Sequence, residues 1–220
     1  SWESGGGSSF LGNYFNYLSS PFTVLIFLFD KADISFAITA LVIVKCMASA
    51  VTFTYYLKAS QKRHSYVSAA FGVFYAFCAY FLAYYWNIMW IDGMILLPLI
   101  VLGIEQLVNS GKGALYTCAL TVLLLSNYYM GYMACIFSVL YFLAYFLMTA
   151  KPRPEKSGEK LTTREKYSAK NLMRHPFLNR CARFAGFSLL AGGLCAVTLL
   201  PTYFLLRGSS ATCLLYTSPS

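Results

Sequence analysis

The chain has 220 residues and a net charge of +9; 58% of its residues are hydrophobic, 18% aromatic and only 11% charged, and its mean hydropathy is +0.58. That is too apolar for a water-soluble domain of this size. The seven cysteines are scattered, form no CxxC pair and lie mostly in apolar runs, so they read as small packing residues rather than as metal or disulfide chemistry.

Residues 1–35 read as an extracellular loop. Gly5-Gly6-Gly7 and Ser8-Ser9 mark a flexible or sharply turned stretch. Pro21–Phe29 is an apolar run of nine residues. As a helix it would rise only about 14 Å against a hydrocarbon core of about 30 Å, so it is expected to lie in the interface or to re-enter the outer leaflet. Asp33 is a reasonable N-cap for the helix that follows.

Six spanning candidates follow, which makes the expected fold all-α, a polytopic transmembrane helical bundle. Residues 36–149 hold five of them. Phe36–Leu57 comes first, then Tyr66–Tyr85. The third is Gly93–Asn109, interrupted by Pro98, which spanning helices tolerate when neighbours satisfy the freed carbonyl. Ser110–Gly113 is a tight turn. Ala114–Ser126 and Met133–Ala150 are short, so a re-entrant hairpin is an alternative there. Residues 150–183 form a basic cytoplasmic loop, and 184–206 the sixth span. Residues 207–220 form an outer end, of which Thr212–Ser220 resembles translated sequencing adapter. The chain reads as an internal piece of a longer protein.

The charges agree with this alternation. Lys58, Lys62, Arg63, Lys112 and ten more between Lys151 and Arg183 fall on one side, fourteen of the 17 Lys and Arg. By the positive-inside rule that side is cytoplasmic. The basic excess is thus an orientation signal, and nucleic-acid binding needs no invoking. The 151–183 stretch is also suited to anionic lipid.

Several residues are candidates for chemistry. Tyr84–Met94 sets Trp86 and Trp90 around Asp92 at an expected outer mouth. Asp92 reads either as the cap of a helix starting at Gly93 or as a general base or cation ligand beside a phosphate. Lys45 lies roughly 14 Å inside its span. An intramembrane charge needs a partner, and the alternatives are Glu105 or an anionic lipid headgroup. Glu3 is either a surface carboxylate or a site acid. Asn127, Tyr128, Tyr129 and Tyr132 either line a sugar site or end a helix in an aromatic belt. Trp86, Asn87 and Trp90 join them as candidate substrate contacts. Arg207 is an interfacial anchor or a phosphate ligand. His64 and His175 have no second ligand nearby, so no metal site is assigned; a divalent cation stays a candidate cofactor.

The blocks SWESGGGSSFLGNYFNYLSSP, YYWNIMWIDGMILLPLIVLGIEQLV, SNYYMGYMACIFSVLYF and LLPTYF, in that order, resemble the YfhO family of bacterial multipass membrane proteins. The resemblance covers residues 1–211. It implies a GT-C-like fold and a glycosyltransferase using a polyprenyl-phosphate-linked sugar donor on the outer face. It also implies a cell-wall polymer acceptor such as lipoteichoic acid. In GT-C enzymes the key acid commonly stands in the first outer loop, which would begin before Ser1. On this reading Asp92 and Glu3 are catalytic candidates, and Lys45 and Arg207 are candidates for the lipid phosphate. The competing expectations are a transporter or flippase of a lipid-linked precursor, and a non-catalytic membrane scaffold.

Overall fold

In the computed structural model the chain is helical throughout the described residues, which are 20–61, 66–149, 163–197 and 200–201. A 3-10 segment, Pro21–Leu28, and a 3-10 turn, Lys31–Asp33, lead into α1, Ile34–Gln61. Then come α2 (Tyr66–Ala76), α3 (Ala79–Tyr84), α4 (Ile88–Ser110), α5 (Ala114–Ser126), α6 (Tyr128–Thr149) and α7 (Thr163–Leu194). Lys31–Gln61, Tyr66–Tyr84, Ile88–Ser110 and Tyr128–Thr149 are each long and apolar enough to cross a membrane. The shorter α5 rises only about 20 Å. The end carrying Lys58, Lys112 and Arg183 is the basic end of the bundle; the end carrying Trp86 and Trp90 is the aromatic end.

α4 is the central helix. Thirteen of its 23 residues are buried, and it packs against α1, α3, α5, α6 and α7. α1, α2 and α6 bury one narrow stripe each. In α1 the stripe is Ala37, Leu41, Lys45 and Ser49; in α2 it is Ser68, Gly72 and Ala76; in α6 it is Gly131, Ala134, Ser138 and Phe142. These three- and four-residue spacings put small side chains on one helix face, where backbones approach closely. Thr54 Oγ1 of α1 stands where a Cβ on Gly72 would be, and Gly103 of α4 lies against the backbone of Tyr116 in α5. The opposite faces expose Ile43, Val51, Phe74 and Leu140. Lipid is the solvent that tolerates such faces.

Pro98 sits inside α4 and has no N–H to give the carbonyl of Met94 one turn earlier. The Tyr75 hydroxyl donates to that carbonyl at 2.9 Å. The Tyr75 ring is held in turn by stacking on Phe53, with centroids 4.3 Å apart. A neighbour does satisfy the group that the proline frees.

Several expected boundaries move. Asp33 is not a cap but part of a 3-10 turn running directly into α1; the cap position before that turn is Asp30. The second span is broken at Phe77–Cys78, where Cys78 is extended and its N–H reaches back only to Tyr75 O. Ala76 O, released by the break, accepts a weak bond from Cys46 Sγ at 3.9 Å. α4 begins at Ile88 rather than Gly93, and α6 at Tyr128 rather than Met133. The polar-aromatic loop expected at 127–132 contracts to the single residue Asn127. Its N–H bonds Leu123 O to end α5, and its Oδ1 accepts from the N–H groups of Tyr129 and Met130 to start α6. The later half of the expected basic loop is helix, since α7 begins at Thr163 and passes through Arg183 into the apolar stretch.

Candidate functional site

Lys45 and Asp92 meet inside the bundle. Lys45 Nζ stands 2.9 Å from Asp92 Oδ1, and each side chain is 1% exposed. The ammonium also donates to Ile88 O at 3.0 Å and lies 5.8 Å from the centroid of Phe22. This is the only ion pair among the described residues. Because α4 starts five residues earlier than expected, Asp92 lies within its second turn and is not its cap. Asn87 takes the cap position without a side-chain cap bond. The 3-10 segment Pro21–Leu28 packs on α1 and brings Ser20 beside the Asp92 carboxylate. Thus the short apolar run closes over the pair.

The expected Lys45–Glu105 partnership is not formed. Glu105 Oε1 accepts instead from Tyr56 at 3.1 Å and Tyr141 at 2.8 Å, towards the basic end. Between Asp92 and Glu105, α4 presents Gly93, Met94, Ile95, Pro98, Ile100, Leu102, Gly103 and Ile104 to the interior. No ionisable side chain of α4 bridges the two charged centres.

The aromatic residues form a chain of rings at the other end. Tyr80 and Tyr84 lie 5.3 Å apart, Tyr84 and Trp90 5.3 Å, and Trp90 and Tyr129 6.5 Å. Trp86 is exposed and donates from its indole N–H to Ala83 O. Asn87 and Asn127 are both buried. Asn127 spends its side-chain oxygen on the α5–α6 joint, and Tyr128 is half-buried beside it. Glu3 and Arg207 lie outside the described residues.

Beside these rings lies a cavity of about 370 Å³ that sequence reasoning did not anticipate. It is lined almost wholly by apolar atoms, with walls from Tyr75, Cys78, Gly93, Met94, Met130 and Phe137 among others. α2, α3, α4, α5 and α6 all contribute. Met133 and Phe137 on its α6 wall are exposed, so the cavity opens on that side. Gly93, next to Asp92 in sequence, forms part of its wall. Among the described residues no three His, Cys, Asp or Glu side chains converge. A cation at Asp92 would have to displace the Lys45 ammonium.

The family described as "Bacterial membrane protein YfhO" matches residues 1–215. "Uncharacterized protein YfhO" of Bacillus subtilis (strain 168) is 35% identical over 72 residues, which is 33% of this chain and 8% of that protein's length. No solved structure matches.

Proposed function

The chain belongs to the YfhO family of bacterial membrane proteins, and from that premise we propose that the protein containing it transfers a sugar from a polyprenyl-phosphate carrier to a cell-envelope polymer at the outer face. The observation that carries this reading is the apolar cavity beside the aromatic rings. An isoprenoid chain needs an apolar slot open to the membrane, and methionines at Met94, Met130 and Met133 give walls that adapt to it. The sugar needs polar-edged rings near water, which Tyr84, Trp90 and Tyr129 supply.

In the reaction, an acceptor hydroxyl oxygen bonds to the anomeric carbon, and the bond from that carbon to the carrier phosphate breaks. The electron pair leaves with the phosphate, and the hydroxyl proton passes to a carboxylate. Asp92 is the described candidate for that base, with Lys45 as its ion-pair partner at rest; Glu3 is the candidate in the preceding loop. Withdrawal of Lys45 and of the Pro21–Leu28 cover would open Asp92 to the acceptor. Lys45 and Arg207 are the candidates to face the departing phosphate.

A flippase would be served by polar groups continuing through the midplane, and the apolar interior of α4 between Asp92 and Glu105 supports transfer over translocation. The test uses the full-length protein in proteoliposomes with a labelled polyprenyl-phosphate sugar, with and without polymer acceptor. Acceptor-dependent transfer is expected. It should fall about 10²–10⁴-fold in Asp92→Asn if that carboxylate is the base. Ala134→Phe, which fills the cavity, should raise the KM for the lipid donor. Sugar lipid crossing the bilayer unchanged would overturn the reading.

A further inference from the structure

We propose that the basic end of the bundle holds a site for a phosphate group, in the notch between the C-terminus of α4 and the middle of α7, suited to the headgroup of an anionic lipid. The notch has a volume of about 280 Å³ and a mainly polar lining from Asn109, Ser110, Gly111, Asn179, Arg180 and Arg183. It is far too large to be a one-water gap, since a water's share of liquid volume is about 30 Å³.

Arg180 and Arg183 stand one helical turn apart on α7, so both guanidiniums serve the same notch. Neither has a carboxylate partner among the described residues. The last carbonyls of α4 place roughly half a negative charge there, which offsets only part of two guanidiniums. An uncompensated positive charge of more than one unit therefore faces a polar recess.

Each arginine is seated by the fold. Arg180 lies 5.7 Å from the ring centroid of Phe146, which leaves its N–H edges directed away from the ring face. Arg183 Nη1 occupies the space where a Cβ on residue 111 would project, so Gly111 makes the seat. Gly111 has φ +73° and donates its own N–H to Leu107 O, closing the helix as it admits the guanidinium. Asn109 is fixed by donating to the Tyr145 hydroxyl at 2.8 Å. Two oriented guanidinium forks, with amide and hydroxyl groups beside them, match the oxygens of a phosphate. The notch lies where the spanning helices end, at the level of lipid headgroups. A phosphate could come from a lipid or from solution, and the chemistry is shared.

The experiment uses the full-length protein in neutral detergent and native mass spectrometry of retained ligand. One arm adds phosphatidylglycerol, one phosphatidylcholine and one inorganic phosphate. The expected result is retention of phosphatidylglycerol at least tenfold above phosphatidylcholine, reduced to the phosphatidylcholine level in Arg180→Ala/Arg183→Ala. Arg180→Lys/Arg183→Lys should bind at an intermediate level, because charge survives and the fork does not. Asn179→Asp changes an exposed residue, keeps the fold and should weaken retention several-fold by repulsion. Inorganic phosphate that binds alone and displaces the lipid would support the site and assign its ligand to solution. Equal retention of both lipids without phosphate binding, or full retention in the folded double alanine variant and Asn179→Asp, would overturn the proposal.

Discussion

Lys45 and Asp92 are each tolerable in the membrane interior because their opposite charges stand 2.9 Å apart. Removing one partner of a buried pair costs about 3–5 kcal/mol, while replacing both with apolar groups is often neutral. Lys45→Met and Asp92→Leu should therefore each lower the thermal midpoint sharply, and the double variant should recover most of the loss. A double variant no more stable than the worse single one would show that the pair is not self-contained. Sugar transfer should stay lost in the refolded double variant if Asp92 is the base, which separates its two roles. The observed helix ends put the two partners at matching depth. At 1.5 Å per residue from the basic end, Lys45 lies about 24 Å up, Asp92 about 27 Å, and Glu105 and Tyr56 each about 8 Å. With the first span ending at Leu57, as the sequence reads, Lys45 lies only about 18 Å up and the match is lost, so it emerges only with the observed end at Gln61.

The elements were legible where breakers are plain. Ala114–Ser126 lies as the sequence predicts, between the Gly111–Gly113 turn and Asn127. The starts of α4 and α6 were misjudged by five residues each for one reason. Aromatic-rich stretches after Asn87 and Asn127 read as interfacial loops, yet both continue as helix directly from the asparagine. Rings with polar edges mark a membrane level, not a backbone conformation. The proline-bearing α4 also depends on a neighbour. Tyr75→Phe should cost between about 0.6 and 3 kcal/mol by orphaning Met94 O. In a Pro98→Ala background the residue-98 N–H can bond Met94 O, so the same change should cost less. Equal losses in both backgrounds, read from denaturation midpoints, would refute the assignment.

At the scale of the molecule, the two charged centres lie towards opposite ends of the bundle, the Lys45–Asp92 pair towards the aromatic end that holds the proposed reaction site and Glu105 towards the basic end. A reaction at the outer face requires the basic end to be cytoplasmic. In a full-length protein freed of its cysteines, Trp86→Cys should react with an impermeant maleimide on intact cells. Lys112→Cys should react only after permeabilisation. The reverse pattern would invert the topology and place the proposed reaction on the wrong face.

The sequence by itself determined that this is a helical membrane protein and that Pro98 would need help from a neighbour. These follow from composition, run length and the chemistry of single residues, all local quantities. Only the tertiary structure decided that Lys45 finds Asp92, that Tyr75 serves Met94, and that five helices leave an apolar cavity beside Gly93. Contacts between helices depend on which stripes of small residues face each other and at what depth, and no single segment carries that information.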